Sequence, residues 1–395
     1  MGKQSVKLIG VFLIFFLIFP VFSGCLDEKK NDKNINIPKD SLSFDDLSVL
    51  PDWDDAQYHD YEAMVDMLHD FDYRYPGLVN IFSIGKSVVG RDIWCIQITN
   101  EQRPDDKYAC VIDGCIHGNE WEAGEACLYL AEYLLINFES NATITQLLNK
   151  TEVYIVPFLN PDGREKDDRF NANGIDLNRN FDAHFGRVFG GSLPVGNPFG
   201  LKIISYIKRP LFVERLGFDR FIRNKVWTNS GRQPFSEPET QALRMLLDSI
   251  QSDLAFYVNC HTAMHMVLTP VNVRHRPEFS LTSQEKEVFK QVLNWCENNT
   301  EYQSVSPDHE IGFGGGVAHH WVFKAYRIPS FCFEILSREY EPGMDQGKHD
   351  QLNHWMKTTI PFFLFLFENI EPLYNWKNPT YNPFLPEGIP PSPMT

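Results

Sequence analysis

"YACVIDGCIHGNEWEAGE" runs from Tyr108 to Glu125. Its first half is an apolar run of strand type, and His117 and Glu120 follow directly, three residues apart. A chain that ends a buried strand on an imidazole and a carboxylate admits two readings. One is a helix start with an incidental histidine. The other is two ligands of a metal site whose third must come from elsewhere in the chain.

Working outward, the same alternation recurs. Strand-like runs are "LVNIFSIG", "DIWCIQIT", "VYIVPFLN", "DLAFYVNCH" and "SFCFEIL". Helical spacing occupies "YEAMVDMLHDFDYRYP" and residues near 122–138, 237–251, 283–298 and 350–368. Strands interleaved with helices predict an α/β domain around a mostly buried sheet. At 395 residues, 43% hydrophobic, the chain can bury a large core. A net charge of −16 argues against a nucleic-acid partner.

Residues 1–24 read as a lipoprotein-type signal peptide: "MGKQSVK", the apolar "LIGVFLIFFLIFPVF", then "SGC". Cys25 is then the lipidated first residue, holding the protein to a membrane outside the cytoplasm. An uncleaved anchor is the plainer alternative, and a secreted form the other location. Residues 25–49 are polar and read as a flexible tether. A catalytic domain over 50–370 follows, then a Pro-rich tail, 371–395, expected to be extended. Residues 184–235 form a basic, aromatic insertion. From Leu201 to Arg232 it carries eight Lys/Arg against two acids. That suits a surface loop, a roof over the cleft, or a face toward anionic lipid. Seven cysteines besides Cys25 cannot all pair internally, and without a CxxC they read as small core residues.

The chemistry gathers at the ends of the strand-like runs, where open α/β sheets place ligand sites. His261 closes "DLAFYVNCH" and supplies a third ligand. Two histidines and a carboxylate, with a fourth position open, are the donor set of a hydrolytic zinc. His265, four residues on, is not expected to be a ligand, because that spacing needs a continuous helix and a strand precedes it. Glu334 lies in the otherwise apolar "IPSFCFEILS". A buried salt bridge with Arg338 explains it plainly; a general base facing an activated water explains it chemically. "NANGIDLNRNF" carries Asn178 and Arg179, with Arg169 just upstream. Alone it reads as a polar turn-rich loop. Near zinc, the arginines and the amide could hold a carboxylate and polarise a carbonyl.

"GKSVVGRDIW", "HGNEWEAGE", "NPDGRE", "NGIDLNRNF", "SEPET", "NCHTAMH" and "FCFEIL" occur in the order found in zinc carboxypeptidases of the carboxypeptidase A/B type. The chain resembles that family over roughly residues 58–370. The resemblance implies a mixed, mostly eight-stranded twisted sheet flanked by helices, and one zinc held by His117, Glu120 and His261. It implies Glu334 as general base, Arg169 at the oxyanion, and Asn178 with Arg179 on the terminal carboxylate of a peptide or protein substrate. It also leaves open a related zinc amidohydrolase, acting on cell-wall peptides or N-acyl amino acids, or a catalytically dead binding protein.

Two positions depart from the pattern. No tyrosine stands near Gly312 and Phe313, where a substrate-capping tyrosine is expected, so no capping residue is assigned. The pocket segment is "AHHW", Ala318 to Trp321, without an acid; Asp308 or Glu310 would have to reach in to supply one. His319 becomes the substrate-binding candidate. Neutral apolar or aromatic C-terminal residues are expected to be preferred, since a buried cation would lack a partner. Acidic ones come second, with a share that rises as His319 protonates below about pH 6.5.

Overall fold

The computed structural model describes residues 49–54, 58–103, 106–185, 230–270, 281–305, 315–335 and 352–376. Cys25 and the signal and tether stretches lie outside them, as do 201–229, Asp308, Glu310, Gly312, Phe313, Arg338 and 377–395.

Eight strands form the sheet: β1 (Val79–Lys86), β2 (Asp92–Ile98), β3 (Tyr108–Asp113), β4 (Thr151–Val156), β5 (Leu254–His261), β6 (Met266–Leu268), β7 (Gln303–Val305) and β8 (Ser330–Glu334). Their spatial order is β1-β2-β4-β3-β5-β8-β6-β7. The centre, β4-β3-β5-β8, is parallel, so its strands all end at one edge. The outer β1-β2, β2-β4 and β6-β8 pairs are antiparallel.

The central strands are apolar on both faces because helices cover both. Alternate residues of β3 go to opposite cores. Cys110 and Ile112 join one with Met64 of α1 (Tyr61–Arg74), Leu128 and Leu130 of α2 (Trp121–Asn137), Leu148 of α3 (Ala142–Lys150) and Phe362 and Phe363 of α6 (Leu352–Glu368). Ala109 and Val111 join the other with Leu243 and Leu247 of α4 (Pro238–Ser249) and Trp321 and Val322 of α5 (Ala318–Tyr326). All eight residues of β5 are buried, as expected of a strand enclosed on both sides.

The long helices and six longer strands fall where the periodicity places them. The three-residue β6 and β7 were not anticipated, being too short for a period to show. The tail expected to be extended from Glu371 does not begin there, and its remainder, 377–395, lies outside the described residues. Ile370–Asn375 is helical, and Leu373 and Trp376 are buried against the first core. Among the described residues, no helix is long and apolar enough to cross a membrane.

Candidate active site

The parallel centre delivers the chemistry to one edge. His117 lies just past β3, His261 is the last residue of β5, and Glu334 the last of β8. Strand register sets His261 directly beside Glu334. The loop carrying His117 is held close by Gly118, where a Cβ would lie 2.0 Å from the Gly163 carbonyl carbon. Only glycine permits that approach.

Glu120 is the N-cap of α2, yet its side chain caps nothing. Its carboxylate turns to the histidines instead, with Oε1 2.7 Å from His117 Nδ1 and Oε2 2.7 Å from His261 Nδ1. The donor atoms of His117, Glu120 and His261 lie within 4.8 Å of one another, and all three residues are buried. The far nitrogen of each ring is also engaged. His117 Nε2 lies 3.1 Å from Asp176 Oδ1, and His261 Nε2 lies 2.5 Å from Asn259 Oδ1. Each ring therefore faces oxygen acceptors at both nitrogens, while a neutral imidazole has one N–H to give. A cation between the Nδ1 atoms and Glu120 resolves that mismatch, and two imidazoles with one carboxylate are a donor set that suits zinc. His265 stands outside this cluster, its ring packed edge-on to Tyr302 and Trp355.

The remaining predicted residues surround this centre. Arg169 donates from Nη1 to Glu120 Oε1 at 3.2 Å and from Nε to Asp176 Oδ2 at 3.1 Å. Arg179 is buried and donates to the Asn178 carbonyl at 2.7 Å. Burial lowers its pKa, opposed by the charge of Asp176. Asn178 accepts from the Ala318 N–H at the start of α5 at 2.8 Å, and its Nδ2 lies 3.1 Å from His261 Nε2. Gly316 passes over the Arg179 backbone with φ +84°, where a Cβ would sit 2.0 Å from the Arg179 oxygen. The segment leading into α5 is thus fastened to the arginine loop. Glu334 is half-buried, and the Cys332 thiol lies 3.9 Å from its Oε1.

His319 is buried on α5, its ring 4.4 Å from that of His320. Burial first, then His320, His261 and Arg179, drive its pKa well below 6.5. The expected protonation near pH 6.5 is therefore corrected: at that pH His319 is neutral. His320 falls to about 3, from burial and then the charges of His184 and Arg179.

Asp176 is the main residue the sequence reading missed. It is fully buried between His117 and Arg169. Burial alone would raise its pKa, but Arg169, His117 and Arg179 outweigh that and hold it below the usual carboxylate range. Glu120 follows the same logic, with the two histidines overcoming desolvation. The signal for Asp176 was an acid two residues before Asn178 in an already suspicious loop. That loop is fixed from behind. Asn171 donates to Glu237 at 2.8 Å and Glu239 at 3.1 Å, and Asn180 donates to the Ser230 carbonyl at 2.7 Å and accepts from Thr240 at 2.7 Å. Burial raises Glu239 to about 7. Deeper still, Asp113 is raised to about 7 by burial, against the pull of Tyr257 and Asn259.

Residues 64–200 and 223–355 match the family described as zinc carboxypeptidase, and the chain belongs to that family. It is 36% identical to mouse (Mus musculus) carboxypeptidase D over 137 residues, which are 32% of this chain and 10% of that protein. It is 23% identical to mouse carboxypeptidase A6 over 302 residues, 72% of this chain and 62% of that protein. The alignment therefore spans about a tenth of carboxypeptidase D and under two thirds of carboxypeptidase A6. The fold is similar to that of bovine thrombin-activatable fibrinolysis inhibitor in complex with a tick carboxypeptidase inhibitor. The TM-score is 0.58 at 19% identity, covering 81% of this chain and 99% of that one.

Proposed function

We propose that this protein is a zinc-dependent metallocarboxypeptidase that removes the last residue of peptides or proteins. The observation that carries the reading is the two imidazoles facing acceptors at both nitrogens around one carboxylate, at the edge where Glu334 arrives in register. His117, Glu120 and His261 would hold one zinc per chain. When bound, zinc supplies Lewis-acid chemistry, acidifying a water and polarising the scissile carbonyl. Glu334 takes the proton from the attacking water and returns it to the leaving amine. Arg169 donates to the developing oxyanion. Arg179, supported by Asn178, grips the terminal carboxylate and limits cleavage to free C-termini. The neutral His319 borders the pocket for the departing side chain.

The N-terminal reading belongs to the same proposal. Residues 1–24 are cleaved as a signal, and lipidated Cys25 holds the enzyme at the outer side of a membrane. Zinc stoichiometry by elemental analysis, with mass spectrometry of a mixed peptide library before and after incubation, tests the activity. One zinc per chain and ladders shortened from the C-terminus are expected. A library left intact by the zinc-loaded protein would overturn it.

A further inference from the structure

Behind His261 lies a polar pair that the catalytic reading does not use. β3 and β5 are in parallel register with Asp113 opposite Asn259. Asp113, Asn259 and His261 share the parity of Val111 and Tyr257, so all three face the same side of the sheet. Asp113 and Asn259 are fully buried and His261 nearly so. Asn259 Nδ2 donates to Asp113 Oδ1 at 2.5 Å, and Asn259 Oδ1 lies 2.5 Å from His261 Nε2.

We propose that Asp113 and Asn259 are positioning residues that fix the tautomer of His261, placing its hydrogen on Nε2 and leaving Nδ1 free to bind zinc. The inference rests on the metal site proposed above. Asp113 offers Oδ1 as an acceptor, in either protonation state, so the amide nitrogen of Asn259 turns to it. The amide oxygen then faces the imidazole, and an oxygen can only accept. Nε2 must carry the hydrogen.

A competitor makes this selection necessary. Asn178 has its oxygen committed to the Ala318 N–H, so its amide nitrogen faces the same Nε2 at 3.1 Å. That donor favours a bare Nε2 and a hydrogen on Nδ1, the form whose Nδ1 cannot bind metal. The Asn259 contact is shorter by 0.6 Å, from 3.1 to 2.5 Å, and prevails. Stability alone gives little reason for the pair: a desolvated carboxyl costs free energy that a well-packed apolar pair would not. Groups outside the ligand set commonly orient a ligating histidine in this way, and their loss typically weakens metal affinity 10–100-fold.

The test uses the full chain in detergent, with wild type, Asp113→Leu and the double variant Asp113→Leu/Asn259→Leu. Zinc affinity is measured by chelator competition, and the His261 ring N–H is followed by NMR of histidine-labelled, zinc-loaded protein. Thermal unfolding of the metal-free forms reports folding. Asp113→Leu, which leaves Asn259 without its acceptor, should bind zinc about tenfold more weakly. The double variant should lose up to about 100-fold while its metal-free form unfolds no lower than wild type. Its Nε2–H signal should shift upfield and exchange faster. Folded variants that keep wild-type zinc affinity, or an unshifted signal, would overturn the assignment. Wild type that binds no zinc would instead sink the metal-site reading itself.

Discussion

The site has a strand side and a loop side, and they are built by different physics. On the strand side, His261 and Glu334 are neighbours because β5 and β8 pair in register. Behind His261 stands a neutral amide, Asn259. On the loop side, His117 and Arg169 come from irregular segments and Arg179 from the short 3-10 turn Leu177–Arg179. They are held by buried charge, with Asp176 joined to His117 and Arg169 and lying near Arg179. The sheet fixes position through its backbone ladder. The loops are fixed by side-chain contacts, amide hydrogen bonds at Asn171 and Asn180 and ion pairs at Asp176, and the ion pairs depend on each group keeping its charge. Damage on the strand side should therefore be specific, and damage on the loop side should spread.

The largest effect tests the strand side. Glu334→Gln keeps the register and the zinc donors but removes the base. Turnover should fall roughly 10²–10⁴-fold with zinc stoichiometry unchanged. Steady-state kinetics paired with metal analysis reads both at once. Wild-type turnover would remove Glu334 from the mechanism.

Asp176→Asn attacks the loop side. It takes the charge from behind His117 and from between the arginines. Zinc affinity should fall about 10–100-fold, and KM should rise as Arg169 and Arg179 lose their common partner. Chelator competition and KM for one peptide measure the two losses. Zinc affinity lost with KM unmoved would mean that Asp176 serves His117 alone.

Arg179→Ala narrows the damage to one grip. It should cost peptides with free C-termini about 10-fold or more in kcat/KM, and matched C-terminal amides far less, because a charge-assisted contact is lost. Equal losses on both substrates would remove Arg179 from the carboxylate grip.

The same contrast explains what the sequence could and could not tell. His117 and His261 were legible because each ends an apolar run, Glu120 by its spacing from His117, and Glu334 as an acid inside an apolar run. Arg169, Asn178 and Arg179 were candidates only by their nearness to a metal site, since alone a loop of Asn, Asp and Arg reads as an ordinary turn, and the resemblance gave each its role. Asp176 stood in that quoted loop, but its burial between a histidine and two arginines has no local signature. The Asp113–Asn259 contact joins residues 146 apart, and only the parallel pairing of β3 with β5 brings them together. β6 and β7 escaped because three residues show no period.

Acid should weaken the protein first at α5, before it reaches the buried carboxylates of the site. His320 has a folded pKa of about 3 against an ordinary 6.5, because burial disfavours its charged form. Its contribution is whole above pH 6.5 and is lost as pH falls from 6.5 toward 3, since only the unfolded chain takes up the proton. This amounts to about 2 kcal/mol between pH 6.5 and 4.5. Asp176 and Glu120, both held low, lose their contributions only below the ordinary carboxylate range. Glu239 acts oppositely: raised to about 7, it stabilises most below 4.5 and loses that contribution as pH rises through 7. Denaturant midpoints of wild type and His320→Phe at pH 6.5 and 4.5 check the first point. The variant should show the shallower decline, and parallel declines would place the acid sensitivity elsewhere.

The smallest effect expected is a constancy. A His319 that protonated near pH 6.5 would draw acidic C-terminal residues into the pocket as pH fell. Burial and three neighbouring imidazole and guanidinium groups keep it neutral there. For matched dipeptide substrates ending in Phe, Leu, Glu and Lys, kcat/KM should favour Phe and Leu. The Glu-to-Phe ratio should stay within about twofold between pH 7.5 and 5.5, since neither side chain gains or loses charge in that window. Lys should rank last, because among the described residues the α5 pocket segment offers no carboxylate to receive its ammonium. A tenfold rise in the Glu share at pH 5.5 would show that His319 meets solvent or substrate charge despite its burial. Preference for Lys would put an acid from outside the described residues, such as Asp308 or Glu310, at the pocket floor.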